Sequence, residues 1–302
     1  MDKLHTIQVF IEVAKRQSFT AAADKLALSA PAVTRSVAAL ETQLGIKLFH
    51  RTTRHVRLTD SGARFLQDAK RILEDLAEAE ASAKGIDAMP SGTLTVTAPI
   101  LFGEKHITPI VTEYLALYPA VAVKMMFYDR VMSLAEEGLD ITIRIGHLKD
   151  SGLYSVPVGQ VRRILCGSPQ YFSQNGKPDC PADLTHHSII FPTTFESSTQ
   201  WSFNNNGKKQ VVRLNPRLCC NHNAAALKAA KLGYGITRLM SYQIGEELET
   251  GALQSILTDY EEAPLPVNVI HLEGRRTNAK IRSFIDLAVE RLRANPFISS
   301  LK

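Results

Sequence analysis

The chain has 302 residues, 45% hydrophobic and 22% charged, a composition that excludes an intrinsically disordered polyelectrolyte and gives room for two domains with cores of their own. No apolar run approaches the roughly 20 residues of a membrane span, and residues 1–4 open straight into helical periodicity, so we expect no membrane partner, no signal peptide and a cytoplasmic protein. The net charge of +5 lies wholly in residues 1–58, which hold nine Lys and Arg against four Asp and Glu, while the remainder holds 26 of each sign. Such a local basic excess is what phosphate-backbone binding requires; on charge alone, a solvated basic face is the competing reading.

Leu4, Ile7, Phe10, Ile11 and Ala14 form the apolar stripe of a first helix ending near Arg16 and Gln17. Ser18 can cap a second helix over 19–26, and Ala27-Leu28 is a turn too short for anything but two helices crossing steeply. Ser29 can cap a third helix, with Pro31 in its first turn. Val33, Val37, Leu40 and Leu44 recur every four, three and four residues, so they share a buried face, and Ala30, Thr34 and Arg35 are expected to face away from it. This is a helix-turn-helix pattern, whose second helix enters the DNA major groove. Gly45 stops that helix, and Ile46, Leu48 and Phe49 return to the core. Arg51-Thr52-Thr53-Arg54-His55-Val56-Arg57-Leu58 is polar, basic and β-branched, and suits a short hairpin lying beside the DNA backbone.

Thr59 or Asp60 can cap a long helix. Phe65, Ala69, Ile72, Leu76, Ala79, Ala83 and Ile86 follow at alternating steps of four and three, a heptad seam. The stripe is narrow, so we expect it to pair two helices of a homodimer rather than to pack on its own chain. At 1.5 Å per residue it spans roughly 30 Å, close to one turn of DNA. Pro90, Ser91 and Gly92 then mark a linker. Beyond it, strand patterns at 93–98, 121–128, 140–145, 153–158, 163–166, 188–191, 201–203, 211–214, 234–239 and 265–272 alternate with helical patterns at 107–118, 132–137, 169–175, 223–232, 242–250 and 280–293. That alternation implies βαβ units and a mainly parallel sheet.

Taken together, Ser18-Phe19-Thr20-Ala21-Ala22-Ala23, Leu28-Ser29, Pro31-Ala32-Val33-Thr34-Arg35, Leu40-Glu41, Leu44-Gly45, Leu48-Phe49, Arg51, Leu58-Thr59 and Gly62 resemble the LysR-type transcriptional regulator family. Gly92-Thr93-Leu94, Asp140-Ile141-Thr142-Ile143-Arg144-Ile145-Gly146 and the region 233–235 carry the likeness into the second half. The resemblance implies an α plus α/β protein. A winged helix-turn-helix would occupy 1–58 and a dimerising linker helix 59–90. A periplasmic-binding-protein-like effector domain of two α/β lobes would occupy 91–302, with lobe I at 91–161 and 268–302 and lobe II at 162–267. It also implies a homodimer or homotetramer that binds double-stranded promoter DNA and responds to a small molecule. The family commonly has Gln where this chain has Ala30, which offers only apolar contact, for instance to a thymine methyl.

The candidate DNA-binding residues are Ser18, Thr20, Ser29, Ala30, Pro31, Thr34, Arg35, Arg51 and Arg54. Arg35 is the expected base or phosphate contact, and Arg54 the expected phosphate contact of the hairpin; Arg51 can instead pair with Glu41 or Asp60. Ligands of open α/β sheets sit beyond the carboxyl ends of strands. That rule selects Pro99, Ile100, Phe102, Phe127, Arg144, Thr193, Asn221 and Arg238 as effector-binding candidates. Arg144 and Arg238 are cations placed to meet a small organic anion, unless they pair internally with Asp129 or Asp140. Gly103 can open a helix whose N–H groups meet an anion. Cys219-Cys220 invites a redox reading, but Cys166, Cys180, Cys219 and Cys220 lack the spacing of a disulfide scaffold or zinc site, and buried free cysteine is a common small hydrophobe. His186-His187 points its two rings apart and has no further ligands at metal spacing. There is no nucleophile elbow, phosphate loop, HExxH or strand-following GxGxxG, so we expect no enzyme, no cofactor and no metal. An architectural DNA binder or a DNA-tethered enzyme are the competing functions.

Overall fold

The computed structural model describes residues 2–51, 56–83, 89–130, 134, 137–148, 153–192, 199–272 and 278–298. The chain divides into two compact units, Met1–Ala88 and Met89–Lys302.

The first unit contains α1 (Lys3–Arg16), α2 (Phe19–Leu26), α3 (Ala30–Leu44), β1 (Phe49–Arg51), β2 (Val56–Leu58) and α4 (Asp60–Ala83). Its helix boundaries follow from local chemistry. The Ser18 and Ser29 hydroxyls accept the N–H groups of Ala21 and Ala32 at 3.2 and 3.3 Å, starting α2 and α3. Ala27 takes a left-handed conformation and donates its N–H to the carbonyls of Ala23 and Asp24, which makes the two-residue turn. Thr59, not Asp60, caps α4, its hydroxyl accepting the Gly62 N–H at 2.9 Å. Ile7, Phe10, Val13, Ala22, Val33, Val37, Leu40, Leu48 and Phe49 form the core, with the Phe10 ring 5.3 Å from those of Phe49 and Phe65.

The expected heptad seam divides. Ala69 is buried in this core, and Phe65, Leu66 and Leu73 pack against it. Ile72 and Leu76 are 47% and 36% exposed. The start of α4 must close the helix-turn-helix core, so its first apolar residues serve its own domain. Ile86 and the side chains of Ala79 and Ala83 lie outside the described residues.

The second unit runs β3 (Gly92–Ala98), α5 (Ile100–Phe102), a π-turn at Gly103–Ile107, α6 (Thr108–Leu117), β4 (Val121–Phe127), β5 (Ile141–Ile145) and β6 (Leu153–Val161). It continues with β7 (Arg163–Gly167), α7 (Pro169–Asn175), β8 (Ile190–Pro192), β9 (Gln200–Asn205), β10 (Lys208–Arg213), β11 (Leu218–Cys220), α8 (Asn223–Lys231), β12 (Thr237–Met240), α9 (Ser241–Glu249) and β13 (Gln254–Ile256). β14 (Leu265–Leu272) and α10 (Ala279–Arg293) close it. The helix expected over 132–137 falls almost entirely outside the described residues.

The larger lobe holds a five-stranded sheet in the order β4-β3-β5-β14-β6. β3 pairs in parallel with β4 and β5, whereas β14 pairs antiparallel with both β5 and β6. The expected mainly parallel sheet is therefore mixed. The chain leaves this lobe at the end of β6 and re-enters at the same edge, so β14 must run against the other four strands. The smaller lobe has the antiparallel sheet β12-β7-β13 and the parallel pair β11-β8, joined by a bridge between Ile189 and Ile236. The expected lobe boundary at residue 268 falls inside β14, which is bonded to the larger lobe from Leu265 onward. Pro266 lacks an N–H, but its carbonyl accepts the Gly146 N–H at 2.9 Å, so the strand begins ahead of the bulge at Val267 and Asn268.

Candidate nucleic-acid interface and effector cleft

In the first unit, α3 presents its opening turns outward. Ser29, Pro31 and Arg35 are exposed, and no ion pair or hydrogen bond engages Arg35 among the described residues. Thr34 is half-buried and donates its hydroxyl hydrogen to the Ala30 carbonyl at 3.0 Å, which leaves its oxygen only as an acceptor. Ala30 is half-buried against the helical core, not turned away from it, so the small side chain there also serves packing. Thr20 is exposed on α2, and Ser18, half-buried, is committed as a cap. Arg54 and the side chain of Arg51 lie outside the described residues. Glu41, part of the family-like signature and a possible partner for Arg51 by sequence, has its carboxylate buried against the N–H groups of Leu48 and Phe49.

In the second unit, the carboxyl ends of β3, β4 and β5 share one edge of the larger sheet, the edge at which the chain crosses to the smaller lobe and returns. Pro99 and Ile100 are half-buried there. The Asp129 carboxylate accepts the Ile100 N–H at 3.0 Å, so the helix start already has its own anion. Gly103 does not open a helix, because its N–H continues the ladder to the Pro99 carbonyl at 2.8 Å. Its role is space: a Cβ on Gly103 would lie 2.4 Å from the Phe127 ring. Phe102 is buried and packs its ring 5.0 Å from Tyr242 and 5.1 Å from His106, so it belongs to the contact between the lobes, not to a solvent-facing cleft wall.

The two expected cations part ways. Arg238 is held internally, donating to the Ser202 carbonyl at 3.0 Å, 3.6 Å from the Glu262 carboxylate and stacked over Trp201. Its internal partner is thus Glu262, not Asp129 or Asp140. Arg144 is half-buried on β5 opposite the buried Asn268 and has no ion pair among the described residues. Both carboxylates proposed as its partners are in use elsewhere, Asp129 on Ile100 and Asp140 on the Thr95 N–H at 2.8 Å. Asn221 is exposed just past β11, and Thr193 lies outside the described residues.

α9 of the smaller lobe plugs into the larger one. Tyr242 is part of the larger lobe's core, and its hydroxyl pKa is raised by burial. Lys105 donates to the Gln243 carbonyl at 3.1 Å and lies 3.7 and 3.9 Å from Glu246 and Glu247. The crossovers are tied by Arg162 to Glu261 at 3.1 Å and Arg163 to Glu262 at 3.4 Å. Sequence periodicity carries no sign of these links, because each joins residues far apart in the chain. A separate cavity of about 370 Å³ lies between α10 and the edge strand β6, lined by Val156, His271, Ile285 and Val289 among others. Cys219 is exposed, against the expectation of a buried pair, and burial pushes the half-buried Cys220 thiol up, away from the reactive thiolate. Among the described residues, no group of three or more His, Cys, Asp or Glu is arranged to hold a metal ion, and no helix is long and apolar enough to cross a membrane.

Two family models match: a bacterial regulatory helix-turn-helix protein of the lysR family over residues 4–63, and a LysR substrate-binding domain over residues 87–293. This chain belongs to the LysR family. Its relatives include an HTH-type transcriptional regulator of Haemophilus influenzae, 32% identical across 93% of this chain and 98% of that one. The Escherichia coli regulator YhjC is 32% identical across 94% and 96%. Among solved structures, the LysR-type regulator CrgA of Neisseria meningitidis superposes with a TM-score of 0.63 at 27% identity, covering 98% of this chain and all of that one. The full-length Vibrio cholerae virulence activator AphB gives 0.61 at 26% identity, covering 96% and 99%. Like the rest of its family, this LysR regulator is a sequence-specific DNA-binding transcription factor with a small-molecule effector domain.

Proposed function

We propose that this LysR regulator binds two-fold symmetric promoter DNA as a homodimer, assembling further into a tetramer, and that a small organic anion in the cleft changes how it grips that DNA. It works in the cytoplasm and catalyses no reaction. Arg35 reads a base edge or phosphate from the exposed turn of α3, and the hairpin cations Arg51 and Arg54 hold the backbone. The exposed Ile72 and Leu76 of α4 are the pairing surface.

One observation carries the anion reading: Arg144 is a half-buried cation at the carboxyl edge of the parallel strands, with no carboxylate of its own among the described residues. A guanidinium in that position is satisfied by a ligand carboxylate. Pro99, Ile100, Phe127, Thr193 and Asn221 complete the proposed site. Titrating a panel of small carboxylic acids and matched neutral amides, while following thermal unfolding, tests the reading. Stabilisation by at least one acid and by none of its amides supports it; stabilisation by neutral ligands alone contradicts it.

A further inference from the structure

Glu41 is a buried carboxylate on the recognition helix, only 3% exposed. One of its oxygens accepts two backbone N–H groups, from Leu48 at 2.9 Å and Phe49 at 3.3 Å. The other lies 3.1 Å from the Lys47 ammonium. These donors belong to the segment that becomes β1, the first strand of the hairpin. The same segment is also held by Thr59, the residue that caps α4. The Thr59 hydroxyl donates to the Lys47 carbonyl at 2.8 Å, and the Thr59 N–H to the Leu48 carbonyl at 3.0 Å. A Cβ on Gly62 would lie 2.1 Å from that Leu48 oxygen, so α4 can approach this closely only with glycine there. The root of the hairpin is therefore bonded to both α3 and the residue that caps α4. An ionised acceptor makes shorter and stronger bonds to backbone N–H than a neutral one, and two at once fix a direction as well as a distance.

Arg35 lies on the same helix, less than two turns before Glu41. We propose that Glu41 is a positioning residue for DNA binding: it fixes the angle at which the hairpin leaves α3, so that one hairpin cation, Arg54, reaches phosphate while Arg35 is in the groove. This rests on the reading, given above, that the hairpin contacts the DNA backbone. Glu41 touches no DNA itself and acts through Leu48 and Phe49.

The test uses the full-length protein and a duplex carrying its footprinted operator, with affinity measured across a range of salt concentrations. Glu41→Gln keeps an acceptor at full reach without the charge; Glu41→Asp keeps the charge but withdraws it by one methylene. We expect affinity to fall in the order Glu, Gln, Asp, by about tenfold for Asp, with the salt slope reduced by about two per dimer as one phosphate contact per subunit is lost. In an Arg54→Ala background, Glu41→Asp should cost less than about twofold more, because the contact it positions is already gone. The Gln variant should unfold within a few degrees of wild type. Losses from Glu41 and Arg54 that multiply would overturn the positioning role alone. Wild-type affinity and salt slope in both Glu41 variants would also overturn it, as would failure of both to fold, which would make Glu41 a folding residue. Arg54→Ala without effect would refute the hairpin contact itself and take the positioning role with it.

Discussion

Arg35 and Arg144 carry the two halves of the account, for the same physical reason. Each is a cation for which the described fold supplies no counter-charge. A bidentate arginine–base contact discriminates by ~1–3 kcal/mol. Arg35→Ala should therefore weaken operator binding about 10- to 100-fold and relax the preference at one base pair per half-site, as read by binding to a library of single-substitution operators. Unchanged base preference would show that Arg35 contacts only phosphate. Arg144→Gln leaves a shorter polar side chain with two N–H donors in place of five and removes the charge. A carboxylate at ~100 times its Kd stabilises the wild type by ~2.7 kcal/mol. The same acid should leave the unfolding temperature of the Gln variant unmoved. Arg238, the other strand-end cation, is already satisfied by Glu262 and the Ser202 carbonyl, so Arg238→Gln should cost stability more than ligand affinity.

The elements were legible in the sequence wherever their determinants are local. Ser18, Ser29 and Gly45 punctuate α2 and α3 through side chains and backbone within four residues of each boundary, and the alternating pattern of 265–272 is β14. What could not be read depends on partners distant in the chain. The direction of β14 follows from the excursion into the smaller lobe, and Phe102, an effector-binding candidate by the strand-end rule, is covered by Tyr242 from that lobe. The α4 seam shows the same limit. A heptad pattern says which residues share a stripe but not what covers it, and the first part of the stripe closes its own domain. The exposed part makes a prediction of its own. Ile72→Glu with Leu76→Glu should convert the proposed dimer to monomer at micromolar concentration in sedimentation, with helical content retained, because both side chains are exposed in the single chain. Loss of helical content with no change in mass would instead place them in the chain's own core.

At the scale of the whole molecule, the proposed reading of a ligand in the cleft requires the effector unit to hold its two lobes in a defined relation. Ion pairs at the crossovers and the α9 plug supply that relation. Glu261 gives it a pH signature. Burial raises its pKa above the ordinary 4.5, outweighing the opposing effect of Arg162. The folded protein therefore binds this proton more tightly than the unfolded chain, and stability falls as pH rises from the ordinary value through the folded one. Glu261→Gln should flatten that part of the profile of unfolding temperature against pH; an unchanged profile would assign the step to another group. The central claim is regulation of DNA by a bound anion, and footprinting on the DNA beside the protein's own gene, with and without the acid that stabilises it most, tests it directly. Two half-sites separated by whole helical turns are expected, whose protection or flanking hypersensitivity changes when the acid is added to wild type but not to Arg144→Gln. A footprint that no acid alters, or one altered equally in the Arg144→Gln variant, would contradict it.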